Sequence, residues 1–260
     1  MVTPQPNPNL ADGSVSTSVH DGIATVSFHH PKGNSLPGSL LKRLASEITA
    51  AGQNRDARVI VLRSEGTGPF CAGASFDELT AIADPAAGKE FFSGFSRVIL
   101  AMIRAPQFVL VRVHGKAAGG AVGLIAASDY SFAVTSAPAR LSELAIGIGP
   151  FVVGPCIEKK IGGAAFSTMA VDADWHDAAW CERHGLYSQV HPDAAAMDAA
   201  IDARAATLAA SNTEAMAKLK RIFWAGTEHW DRLLDERATM SGTLVLSEFT
   251  RNAIAQFKAK

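Results

Sequence analysis

Three short apolar runs constrain this chain most: residues 58–63, 108–113 and 130–134. Each has the length and the Val, Ile, Leu and Phe content of a buried strand and is too short for an ordinary helix. Between them lie segments whose apolar residues recur at helical spacing. A repeated order of strand, turn and helix predicts an α/β domain, in which the turns at strand ends carry the ligand contacts. At 260 residues, 48% of them hydrophobic, the chain can build one large core.

The remaining elements follow from local pattern. Residues 16–20 and 23–28 alternate around Asp21-Gly22, a hairpin signal. Residues 37–53 place Leu40, Leu41, Leu44, Ile48 and Ala51 on one helical stripe, with proline near the first turn. Helices are expected over 75–83 and 88–103, separated by Asp84-Pro85. Phe91, Phe92, Phe95, Val98, Ile99 and Met102 form a stripe that reads as core or as the wall of a pocket. In the second half helices are expected over 150–161, 164–171, 175–184, 192–210, 213–224 and 227–258, with a short strand at 186–190. Residues 1–14, rich in proline and asparagine, read as a disordered tail. Residues 15–190 read as the core and 191–260 as a helical region that packs on a neighbouring subunit or folds back over the site.

Lys and Arg total 24 against 25 acidic residues, which argues against nucleic acid or an anionic membrane as the main partner. Three cysteines without paired spacing, Cys71, Cys156 and Cys181, read as free thiols in a reducing, cytoplasmic setting. His29-His30 sits in a loop without nearby carboxylates, so it reads as a solvated pair and not as a metal site.

The chemistry concentrates in residues 115–154. Gly119-Gly120 follows the strand 108–113 and opens a small-residue run of helical length. Glycine lets the backbone approach a ligand, and a helix start presents unpaired N–H groups that can hold an oxygen turning negative. Glu143 stands between apolar neighbours, as suits an acid or base. A second turn, Pro69 to Leu79, follows the strand 58–63 and contains Cys71-Ala72-Gly73-Ala74-Ser75.

These segments resemble three motifs of the crotonase (enoyl-CoA hydratase/isomerase) superfamily, in family order. Residues 70–76 resemble "F-x-A-G-A-D-hydrophobic". Residues 115–129 resemble "G-x-A-x-G-G-G-x-E-L-A-x-x-x-D". Leu141-Ser142-Glu143 with Gly147 resembles "P-E-x-x-x-G". The resemblance runs over about residues 16–258. It implies an α/β fold with a ββα spiral core and a helical C-terminal region, assembled as a homotrimer or homohexamer. It implies an acyl-CoA thioester substrate, an oxyanion hole made by the main-chain amides of Ala74 and Gly120, and Glu143 as the catalytic acid/base. Coenzyme A contacts are implied for Lys32, Ala72, Gly73 and Ser75 and, at the C-terminus, for Phe257 and Lys260. No metal and no separate cofactor are implied, since coenzyme A is part of the substrate.

Where the family's two-carboxylate hydratases carry their first glutamate, this chain has Gly123. Two glutamates serve both the α and β carbons, whereas one suffices for an isomerase. The local text "G-G-A-V-G-L" also resembles methylglutaconyl-CoA hydratase-like members, so hydration and a double-bond shift both stay open. A non-catalytic CoA-binding subunit is the alternative of another class. The spacing from Asp129 to Glu143 is shorter than in the two-glutamate pattern. Glu158, among lysines, reads as a solvated ion-pair partner. Ser142 lacks an activating histidine or a G-x-S-x-G setting, which disfavours a serine hydrolase.

Overall fold

A computed structural model describes residues 12–258. Six strands form the main sheet in the order β1-β2-β3-β4-β6-β8. The strands β1 (Ser14–His20) and β2 (Ile23–His29) make the hairpin around Asp21-Gly22 and pair antiparallel. The parallel strands that follow are β3 (Val59–Ser64), β4 (Phe108–Val113), β6 (Tyr130–Val134) and β8 (Gln189–His191). β3 and β4 are buried almost throughout, as expected of strands covered on both faces.

Helices cover the sheet and build its ends: α1 (Gly38–Gln53), α2 (Phe76–Ala81), α3 (Pro85–Arg104), α4 (Gly120–Ala126) and α5 (Gly154–Asp172) come first. α6 (Ala178–Arg183), α7 (Ala194–Ala209), α8 (Thr213–Phe223), α9 (Trp230–Leu244) and α10 (Glu248–Lys258) follow. Polar N-caps start many of them. Ser75, Asp84, Asp177, Asp193 and Asn212 each accept an amide proton from the first turn of the helix they precede. The stripe of α1 is buried as its spacing implies. α3 and α9 run antiparallel in close contact, because a methyl on Gly88 would sit 2.7 Å from the Gly242 backbone. Arg104 pairs with Asp231 at the other end of this contact.

Several sequence expectations are corrected. The tail does not extend to residue 14: Gly13 is buried against His29 and Ser14 opens β1, whereas residues 1–11 lie outside the described part. The last helix is two, broken after Val245, where the Ser247 hydroxyl accepts the Thr250 amide proton and restarts the chain as α10. The helix of 175–184 begins only at Ala178, after the Asp177 cap. The first of the helices expected after Pro150 starts at Gly154, and the two join as α5 with non-helical backbone at Gly162 (φ 78°). The last strand is β8, displaced toward His191. Among the described residues no helix is long and apolar enough to cross a membrane.

Candidate active site

The site is assembled by a second, smaller set of backbone pairings beside the main sheet. The chain leaving β2 meets the turn after β3 through a parallel bridge between Leu36 and Ala74. That turn meets the segment after β4 through a bridge between Cys71 and Ala117. The short strand β5 (Ala117–Ala118) then pairs with β7 (Ala139–Arg140). The two glycine turns therefore lie side by side. A methyl on Gly73 would sit 2.7 Å from the Ala118 carbonyl oxygen and 3.7 Å from the Gly120 nitrogen. Gly73 (φ 90°) and Gly119 (φ 56°) both adopt backbone conformations that other residues rarely take.

This packing has a chemical result. In the bridge, Leu36 N–H donates to Gly73 O and Ser75 N–H donates to Leu36 O, which passes over the amide of Ala74. Gly120 is the first residue of α4, so its amide has no partner one turn back. Among the described residues neither amide finds an acceptor. Both residues line a cavity of about 560 Å³. Lys32, Ala72, Gly73, Ser75 and Glu143 line it as well, so most of the sequence-predicted site is brought together. Lys260 and the side chain of Phe257 lie outside the described residues. α10 nevertheless folds over this cavity through Ala253 and Gln256.

Glu143 enters from a single turn of 3₁₀ helix, Leu144–Ile146. Its carbonyl accepts from Ile146 N–H (3.2 Å) and Ile148 N–H (2.9 Å), which fixes the turn. Its carboxylate packs on Gly119: a methyl there would lie 3.2 Å from Oε1. Oε2 is buried and, among the described residues, has no hydrogen-bond partner. Burial pushes the carboxyl up to about 7, against the lowering effect of the Glu143 and Ser142 amides and of the Arg140 charge. A carboxyl held near neutrality can both take and give a proton.

The place of the missing first glutamate has a steric explanation. A methyl on Gly123 would sit 2.4 Å from Val153 Cγ1, and Val153 itself lines the cavity. Val153 fills the space that a side chain at position 123 would need. Gly120 is equally confined, with a methyl there lying 2.2 Å from the Phe95 ring. Phe92 and Phe95 thus belong to the cavity wall, while Val98, Ile99 and Met102 are core. Glu158 is exposed on α5 and does not line the cavity. Asp77, the other carboxylate on the cavity lining, pairs with Lys32 at an exposed end. Glu78 reaches further than the first turn of α2, accepting from the Gly38 N–H that opens α1 (2.7 Å).

His30 departs from expectation. It is buried, and its Nδ1 lies 3.1 Å from Ser35 Oγ and accepts from Lys32 N–H at 3.3 Å. Burial, with Lys32 nearby, lowers its pKa, so it is a structural neutral imidazole holding the loop that carries Lys32. Among the described residues no group of three or more His, Cys, Asp or Glu is placed to hold a metal ion.

Two features were not legible beforehand. Asp129 ends the second motif and is buried with Lys220, whose Nζ lies 2.8 Å from Oδ2. Oδ2 also accepts from Val109 N–H (2.7 Å) and Oδ1 from Trp224 Nε1–H (2.9 Å). Lys220 donates further to the carbonyls of Met102 and Gln107, both at 2.7 Å. The partner of Asp129 is 91 residues away in the chain, too far for spacing to reveal. The second feature is Arg140, which lines the cavity beside Glu143.

The enoyl-CoA hydratase/isomerase family model matches residues 18–258. A (7aS)-7a-methyl-1,5-dioxo-2,3,5,6,7,7a-hexahydro-1H-indene-carboxyl-CoA hydrolase of Mycobacterium tuberculosis is 34% identical over 138 residues, covering 51% of this chain and 53% of that protein. A mitochondrial methylglutaconyl-CoA hydratase of Rattus norvegicus is 31% identical over 171 residues, covering 65% of this chain and 54% of that protein. The chain thus spans about half the length of the curated relatives it matches. In fold it is similar to an enoyl-CoA hydratase from Bacillus halodurans, with a TM-score of 0.87 at 16% identity, covering 93% of this chain and 99% of that one. Cavity, paired glycine turns and family match agree, and the chain belongs to the enoyl-CoA hydratase/isomerase family.

Proposed function

We propose that this protein hydrates an enoyl-CoA thioester, using Glu143 as its single acid/base. The observation that carries the reading is Glu143, whose Oε2 is buried and unpartnered among the described residues, in the same cavity as two amides that lack acceptors among those residues. In this reading the thioester oxygen accepts from Ala74 N–H and Gly120 N–H. Ionised Glu143 takes a proton from water as the water oxygen bonds to the β carbon. The C=C electrons move toward the thioester and form an enolate held by the two amides. Glu143 then returns the proton to the α carbon, so the product is the substrate plus one water. An oxyanion donor of this kind is worth roughly 2.7–4 kcal/mol of barrier and general acid–base catalysis about 10²–10⁴-fold.

A double-bond shift is the second reading, favoured by Val153 standing where a second carboxylate would project. There Glu143 would remove a proton from one carbon and return it to another, with no water consumed. Incubation with a panel of enoyl-CoA thioesters and mass analysis of the products separates the two. A gain of 18 Da, the mass of one water molecule, supports hydration. An unchanged mass with a moved double bond supports isomerisation. Recovery of every thioester unaltered would leave only a CoA-binding role. The trimer or hexamer implied by resemblance would cover exposed Met240 and Leu244 on α9, and sedimentation showing only a 27.3 kDa species would remove it.

A further inference from the structure

The cavity has an open end and a closed end. At the open end the side chains of Lys32 and Asp77 are 68% and 65% exposed. The closed end follows α3 toward its contact with α9. Phe95 stands at the oxyanion turn, its ring 2.2 Å from where a methyl on Gly120 would sit. Gly88, two turns earlier on α3, stands against Gly242, so about 10 Å of helix separates the two contacts. Phe92 lines the stretch between them, and Ser241 lines the cavity from α9. Val245, one turn beyond Ser241, packs with Leu79, Phe91, Ile148 and Ile254, which closes this end with apolar side chains. Among the described residues the charged side chains on the lining are Lys32, Asp77, Arg140 and Glu143, and none of them comes from α3, α9 or α10.

Ser241 is the polar group that α9 brings to this end, and it is 1% exposed. Its neighbours Thr239 and Thr243 donate their hydroxyls to the carbonyls of Asp235 and Thr239, both at 3.0 Å. Among the described residues the Ser241 hydroxyl makes no such bond and has no other partner. It is not sealed in the core as Glu143 Oε2 is, and it meets the cavity that Ser241 lines. A hydroxyl enclosed by apolar walls without a partner is costly unless a ligand completes it. Burying the phosphates of coenzyme A in a cavity of about 560 Å³ would cost far more, so the coenzyme leaves by the open end and the acyl chain runs to the closed one. No ionised side chain stands there to pair a carboxylate, so the group that fits is neutral. We infer that Ser241 hydrogen-bonds a hydroxyl or ketone oxygen on the acyl chain, beyond the reacting carbons, so that the substrates are CoA thioesters of oxygenated acids. This inference deepens the function proposed above and rests on its placement of the thioester.

The test uses saturated thioesters of equal chain length, which offer no double bond to react. Hexanoyl-CoA is compared with its 4-oxo, 5-oxo and 6-hydroxy derivatives, and with adipyl-CoA, by calorimetric titration of the wild-type protein and Ser241→Ala. The wild type is expected to bind at least one of the neutral oxygenated chains about 3–10-fold tighter than hexanoyl-CoA. Ser241→Ala should erase that preference and bind hexanoyl-CoA at least as tightly as before. Equal binding of plain and oxygenated chains by the wild type overturns the inference and leaves the CoA reading standing. So does a preference that survives in Ser241→Ala, or adipyl-CoA binding tighter than every neutral chain. A variant that weakens all the thioesters alike also overturns it, because Ser241 would then serve packing alone. Binding of no thioester at all overturns the proposed function with it. Should Ser241→Ala fail to fold, Ser241→Cys, a weaker donor of similar size, takes its place and should narrow the preference.

Discussion

α4 has a buried carboxylate near each end, and the two are treated oppositely. Asp129, just past the C-terminal end, is enclosed by Lys220, the Val109 amide and the Trp224 indole, so that both oxygens are bonded. Glu143, against Gly119 at the N-terminal end, keeps one buried oxygen without a partner. Both residues stand in motif segments. The fold can therefore satisfy a carboxylate completely where it needs a fixed joint, here the tie between β4, α8 and the end of α4. On the proposed reading, leaving Glu143 unsatisfied is what suits it to proton transfer, since its charged form is disfavoured by burial.

Turnover should separate the two carboxylates most. Glu143→Gln is expected to lower kcat by about 10²–10⁴-fold on the best thioester while binding is kept, because the amides of Ala74 and Gly120 are untouched. Retention of most activity would make Glu143 another structural carboxylate. Lys220→Met should act on the other end: it strips the buried charge partner from Asp129 and should cost about 3–5 kcal/mol in urea unfolding. A double variant that also replaces Asp129 by leucine should recover part of that loss, since an uncompensated charge is worse than none. An inert Lys220→Met would remove the contrast.

The pH dependence sharpens the contrast. Glu143 titrates near 4.5 when unfolded and is pushed up to about 7 in the fold, so between those values the folded state binds more protons than the unfolded one. Stability from this group is thus full below about pH 4.5 and is lost as pH rises through about 7. Glu143→Gln should gain on wild type over that window by at most about 3 kcal/mol, read from melting curves at pH 5 and pH 8. The wild-type rate of a step that begins with ionised Glu143 should rise across the same window. Glu158→Gln, on an exposed face of α5, should change stability by no more than about 0.5 kcal/mol and leave turnover unaltered.

The legible part of this molecule was the local part. Strand runs, the α1 stripe and the glycine turns follow from period and from residue type, and the structure returns them with shifts at their ends. Gly119-Gly120 and Glu143 stand out by residue type and setting, whereas Ala74 and its pairing with Gly120 are implied only by the family resemblance. Their meeting was not derivable from spacing, since it depends on the bridges Leu36–Ala74 and Cys71–Ala117 between distant segments. His30 illustrates the limit from the other side. A loop histidine looks solvated until the loop is seen to wrap it with Ser35 and the Lys32 amide. The break between α9 and α10 was hidden because apolar residues continue across it, and only the Ser247 contact marks the restart. Lys220, one residue in an ordinary-looking helix, gave no sign that it would be buried.

The contact between Gly123 and Val153 has a consequence for how this site could change over generations. A glutamate introduced at position 123 would arrive in occupied space, 2.4 Å from Val153 Cγ1 at its first carbon. Such overpacking typically costs about 1–3 kcal/mol before any charge is desolvated. A shrinking substitution at Val153 would have to come first, and alone it would open a void without improving the chemistry. The two positions are therefore epistatic: the path from one carboxylate to two crosses a valley. On the proposed reading, a lineage starting from this chain stays with single-glutamate chemistry unless both residues change together.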